Sequence, residues 1–154
     1  MISGDLVSYI NYFKFWADAH PDVNFFTFGS VEKGATYAVS QPGFAYPFVW
    51  LEQPIIQSLD NDASHFNEIY HTGITVLIHA DLDDFDAQIQ AYAKSLQILH
   101  SLQAKMKKDR KRGELNFDWN QIKKEAVNQL WMDSHYGWRM EIPLELNINP
   151  LLVV

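Results

Sequence analysis

With 154 residues, 47% of them hydrophobic and 20% charged, the chain has the composition of one globular domain, residues 1–154. No apolar run approaches the ~20 residues of a membrane span, and the N-terminus lacks the basic-then-apolar form of a signal peptide. The lack of cysteine excludes disulfides, thiol catalysis and cysteine-based zinc sites and permits a reducing cytoplasmic origin, while the formal charge of −7 argues against a general nucleic-acid coat.

Residues 3–19 read as a helix capped by Ser3, with Leu6, Ile10, Phe13, Trp16 and Ala17 on its buried stripe. Pro21 ends it, because the residue before a proline is pushed out of helical geometry. Residues 23–28 form a short strand closed by Gly29-Ser30, and 31–43 is mostly loop with a weak strand at Thr36–Val39. The next strand spans 44–52, with Phe44, Tyr46, Phe48 and Trp50 on one face and Pro47 suggesting an edge. Residues 54–67 read as a polar connection.

The strongest signal follows. Tyr70, Thr72, Ile74, Val76, Ile78 and Ala80 alternate with His71, Gly73, Thr75, Leu77 and His79, the pattern of a long strand with one nearly apolar face. Asp81, Asp83, Asp84 and Asp86 then supply N-cap acceptors suited to the positive end of a helix dipole. Phe85, Ile89, Tyr92, Leu96, Leu99, Leu102 and Met106 recur at steps of three and four, so a long amphipathic helix should lie across the apolar face of the sheet. Gly113 suits its C-terminus. Asp118 caps a shorter helix carrying Trp119, Ile122 and Ala126, and Val127–Met132 already has strand character. Asp133 to Gly137 resembles a hairpin turn. In the final strand Tyr136, Trp138, Met140, Ile142, Leu144, Leu146 and Ile148 share one face, and Pro143 again hints at an edge. The predicted class is α+β: a mostly antiparallel sheet with one long and one or two shorter helices packed on one face.

Residues with chemical potential are few. His71 and His79 share a strand face but stand roughly 26 Å apart at ~3.3 Å per residue, so a metal site would require His65 to fold back or a partner from another strand. The acidic cluster lacks the spacing of a calcium loop, and helix capping explains it. The cations Lys105, Lys107, Lys108, Arg110, Lys111 and Arg112 read as a solvated helix end, a phosphate-binding tip or a docking contact for an acidic protein. No interleaved aromatics offer base stacking there. The tryptophans at 16, 50, 119 and 138 fall on apolar faces, and the place of Trp131 is open. Leu151, Leu152, Val153 and Val154 close an apolar tail, 149–154, that either folds onto its own core or contacts a neighbouring subunit. No nucleophile motif, phosphate loop or dinucleotide fingerprint occurs, and no metal or cofactor is expected.

Tyr46-Pro47-Phe48-Val49-Trp50-Leu51-Glu52, the strand 73–80 with its helix, and Tyr136-Gly137-Trp138-Arg139-Met140-Glu141-Ile142 together resemble the tail terminator and neck (head–tail joining) proteins of long-tailed bacteriophages and prophages. The resemblance spans most of the chain through the order of its elements. It implies a non-enzymatic virion protein, made in the host cytoplasm, that forms a hexameric ring. Such a ring would cap the tail tube and contact neck or connector proteins, while DNA passes its lumen without specific binding; no membrane is involved. Two other classes stand beside it. One is a ligand-binding or enzymatic domain with an aromatic pocket from Trp50, Trp138 and Tyr92; the other is a dimeric adaptor.

Overall fold

The computed structural model describes residues 2–30, 40–129 and 134–152. Its elements run α1 (Leu6–Ala19), β1 (Phe25–Gly29), β2 (Phe48–Glu52), β3 (Ile55–Asp60), β4 (Phe66–His79), α2 (Phe85–Lys111), β5 (Lys123–Gln129) and β6 (His135–Asn147). Short 3-10 turns cover Trp119–Gln121 and Asn149–Leu151. The fold is α+β, with six strands in one mostly antiparallel sheet. The expected weak strand at Thr36–Val39 lies outside the described residues, as do Trp131 and part of the expected hairpin turn.

β4 and β6 form the spine, antiparallel in unbroken register from Asn67↔Asn147 to His79↔His135. β2 flanks the second half of β4 and β3 the first half; β1 lies parallel to β2, and β5 lies antiparallel on the far side of β6. Between the pairs Leu51↔Ile74 and Ile55↔His71 the β2–β3 side carries one extra residue, at Gln53-Pro54. This offset has the form of a β-bulge, which lets two consecutive strands follow one edge of β4.

The even-numbered face of β4 and β6 receives both helices. Tyr70, Ile74, Val76, Met140, Ile142, Leu144 and Leu146 join Tyr9 and Phe13 of α1 and Ile98, Leu99, Leu102 and Met106 of α2 in one core. Each strand supplies every second residue to this core, as its alternation implies. α1 begins at Leu6, and its cap is Asp5, not Ser3: the Asp5 carboxylate accepts from Ser8 N at 2.9 Å and from Ser8 Oγ at 2.7 Å. Those bonds, the backbone one foremost, hold the Asp5 carboxyl at about 2. The buried stripe of α1 also contains two tyrosines. Tyr9 donates to Thr72 Oγ1 at 3.0 Å, and Tyr12 to Asp109 Oδ2 at 2.6 Å, so each hydroxyl enters the core with a partner.

Four expectations are corrected. The stretch 54–67 is not a plain connection, because β3 and the start of β4 occupy it. Pro47 precedes β2, which is an internal strand. β6 is likewise internal; Glu145 N donates to Asn116 O, so the odd-numbered nitrogens face away from β4, and Pro143 falls just past the last β5 pair, Lys123↔Glu141. A missing donor costs nothing there. Finally, after Asp118 only one 3-10 turn forms, and the chain enters β5 at Lys123, with Trp119 40% exposed.

The Tyr12–Asp109–Lys105 cluster ties α1 to α2. Burial works to raise the Asp109 carboxyl, but bonds from Lys105 (2.6 Å) and Tyr12 outweigh it and hold the group below its ordinary value. Asp109→Ala leaves the Tyr12 hydroxyl unpaired in the core and should cost about 2 kcal/mol, against about 1 kcal/mol for Tyr12→Phe, measured by urea unfolding. Because the folded carboxyl is depressed, its contribution is present above the ordinary 3.8 and is lost as pH falls below it. The acid limb of the stability profile should therefore be shallower in Asp109→Asn.

Candidate functional site

Three surfaces gather the side chains of interest. The first is a groove of about 470 Å³ on the odd-numbered face of the sheet, lined by Glu52, His71, Gly73, Lys123, Arg139 and Glu141 among others. At its floor Arg139 meets Glu52 at 2.7 Å and Glu141 at 2.5 Å, with Glu125 at 3.5 Å. Burial opposes the Arg139 charge, yet the carboxylates hold it firmly in place. The hydrogen bond from Arg139 in turn holds Glu141 below the usual range. Gly73 makes the arrangement possible, since a Cβ there would collide with the Glu52 carboxylate and the Arg139 guanidinium. The Thr72 hydroxyl turns away into the core, donating to the Tyr70 carbonyl at 3.1 Å. Such a groove is electrostatically self-satisfied: its guanidinium is occupied by its own carboxylates.

The second surface is at the end of the β4–β6 ladder. Sequence spacing leaves a metal site possible only if His65 folds back or another strand supplies a partner; the register does pair His79 with His135. His135 is fully buried, with Nδ1 3.0 Å from the Tyr46 hydroxyl; His79 lies 3.4 Å from Asp81. The Tyr46 ring packs near both imidazoles, with ring centroids 5.8 Å from His79 and 6.0 Å from His135. Phe44 packs edge-on against Tyr46, Phe25 and Phe48, closing a small second core with Trp50 and Leu77. His65 sits in the exposed β3–β4 turn and His71 reaches Gln57 at 3.3 Å. Among the described residues no group of three or more His, Asp and Glu side chains is placed to hold a metal ion.

The third comprises the two ends of α2 and the C-terminal tail. Of the basic residues, Lys105 is engaged by Asp109 and lies 4.6 Å from the Tyr12 ring, and Arg110 donates to Phe117 O at 3.2 Å while stacking on its ring. Lys107 stands 5.9 Å over Trp119. Lys108, Lys111 and Arg112 are exposed. Gly113 ends the helix with φ +76, a conformation that glycine adopts freely. Leu151 and Leu152 are half exposed, and Val153 and Val154 lie outside the described residues. At the opposite end, Asp84 caps the helix through Ala87 N at 3.0 Å. The first part of the expected apolar stripe is not buried: Phe85 is 76% and Ile89 61% exposed.

The aromatic pocket expected from Trp50, Trp138 and Tyr92 does not form. Trp50 is in register with Thr75 and Trp138 with Val76, so the two indoles occupy opposite faces of the sheet. Trp138 donates to the Tyr92 carbonyl at 2.9 Å, while Trp50 donates to the Gly29 carbonyl at 3.0 Å.

His135→Ala removes a buried ring and one hydrogen bond with the Tyr46 hydroxyl, so urea unfolding should show a loss of about 2–4 kcal/mol. His79→Ala, on a side chain 42% exposed, should stay within about 1 kcal/mol. Elemental analysis of the purified protein should find no stoichiometric transition metal. About one metal per chain, lost in either variant, would contradict that outcome.

No protein-family model matches the chain, and no curated protein matches it.

Proposed function

We propose that this chain is a structural subunit of a bacteriophage tail, a tail terminator or neck component that forms a ring, caps the tail tube and joins it to the head connector. The observation that carries this reading is the layout: helix, short strand, strand behind Tyr46-Pro47, long strand, long helix and closing β5–β6 pair follow the order the resemblance implies, with β3 as an additional strand before the long one. The surface chemistry is consistent with it. Ile55, Ile56 and Leu59 of β3 are exposed on a strand that pairs only with β4 among the described residues. An open edge without lysine or proline favours pairing with another chain, and monomeric proteins usually blunt such edges. The ring is a homo-oligomer, hexameric as the resemblance implies, located in the virion. Its net acidic charge disfavours adhesion of DNA passing through the lumen.

Light scattering should therefore report an assembled mass several times the 17.9 kDa of one chain, and the assembly should co-sediment with tail tubes. Deleting residues 151–154 should lower the assembled mass, with the circular dichroism spectrum unchanged, if the tail contacts a neighbour. Normal assembly of the truncated chain would return the tail to its own subunit. A protein that remains monomeric at high concentration with tail tubes present would refute the ring.

A further inference from the structure

α2 carries more apolar surface than the chain buries. Phe85 and Ile89, one turn apart at its N-terminal end, are 76% and 61% exposed, Leu82 in the preceding turn is 54% exposed, and Leu82 and Phe85 line a shallow depression with the exposed Asp83 and Asp86. Isolated exposed apolar side chains are ordinary, but three adjacent large ones on a helix shoulder mark an interaction surface. At the other end, a groove of about 500 Å³ opens between α2 and the entry to β5, lined by His100, Ala104, Lys107, Trp119, Ile122 and Lys124. Ala104, Trp119 and Ile122 are its apolar part, His100 and Gln103 add polar groups, and Lys107 and Lys124 make it cationic. Lys107 rests over the half-exposed Trp119, and burial pulls the Lys124 ammonium below its usual range. Among the described residues Asp83, Asp86, Lys107 and Lys124 make no ion pair within the chain.

The two surfaces are opposite in charge, and each presents exposed apolar side chains. From Ile89 to Lys107 the helix advances roughly 27 Å at 1.5 Å per residue, so they cannot meet within one molecule. We infer that the acidic, apolar N-terminal shoulder of α2 docks into the cationic groove at the C-terminal end of α2 in a second copy of the chain. The contact is heterologous, with a different patch on each side, and such contacts propagate into a closed ring when the rotation per subunit closes. Phe85 and Ile89 are its apolar anchors; the aspartates and lysines set its register and exclude the reverse orientation. This assigns the ring interface and rests on the proposed ring.

Charge exchange tests it. The mass of the full chain and its variants is measured by sedimentation velocity, with circular dichroism as the folding check. Asp83→Lys with Asp86→Lys should reduce the assembled species to 17.9 kDa, and so should Lys107→Glu with Lys124→Glu. All four substitutions in one chain should restore assembly, because each swapped surface again meets its opposite. Phe85→Ser, at a position too exposed to affect folding, should separately weaken assembly at least tenfold in concentration dependence. Assembly that persists in both charge variants and in Phe85→Ser overturns this interface and leaves the ring standing on another contact, such as the β3 edge. Loss in each charge variant without recovery in the fourfold chain overturns the pairing of these two surfaces. A wild-type chain that stays monomeric overturns both the interface and the ring.

Discussion

The antiparallel ladder between β4 and β6 is the constraint on which everything else depends. Thirteen consecutive pairs lock the side-chain alternation of the two strands together, so a slip of one residue would turn the core-facing set outward. With the register held, Tyr70, Ile74, Val76, Met140, Ile142, Leu144 and Leu146 form one continuous apolar floor, which neither helix could supply alone. α2 lies over that floor, and α1 closes it from the side through Tyr9 and Tyr12. The same register places His135 opposite His79 and Arg139 beside Gly73, so the polar features of the other face are consequences of the ladder too.

Much of this architecture is legible in the residues. The alternation of β4 and β6 and the three-and-four spacing of α2 each persist long enough to exclude other periods. Residues 55–60 were not legible as a strand because Ile-Ile-Gln-Ser-Leu-Asp has no alternation: an edge strand exposed on both faces is not required to have any. Only the start of β5 is hidden for the same reason, its Lys-Lys-Glu lying exposed or half-exposed on the outer side of β6, whereas its end from Val127 has legible strand character. Pro143 misleads because proline excludes only the hydrogen bond on one side of a strand, and β5 stops before it. The tyrosines of α1 look polar until Thr72 and Asp109 are known to receive their hydroxyls. The His79–His135 pair is a property of register, which no local spacing contains.

The basic end of α2 shows how one run of charge serves two purposes. Lys105 and Arg110 are recruited inward, the first to a carboxylate shared with α1, the second to the carbonyl and ring of Phe117. Lys107, Lys108, Lys111 and Arg112 remain on the outer face, where they suit the helix C-terminus and present a cationic rim. At the other end the acidic residues stand beside Phe85 and Ile89, which continue the periodicity of the buried stripe beyond the floor that could cover them. A helix whose apolar pattern outruns its own core, with opposite charges at its two ends, has the properties of a repeating subunit. In the proposed ring its surplus apolar surface would be covered by assembly and not by folding.

Electron microscopy of the purified protein in negative stain tests that account most directly. The account predicts closed, uniform rings with a central channel and one subunit number. Particles of single-chain size, or open filaments of indefinite length, would contradict it.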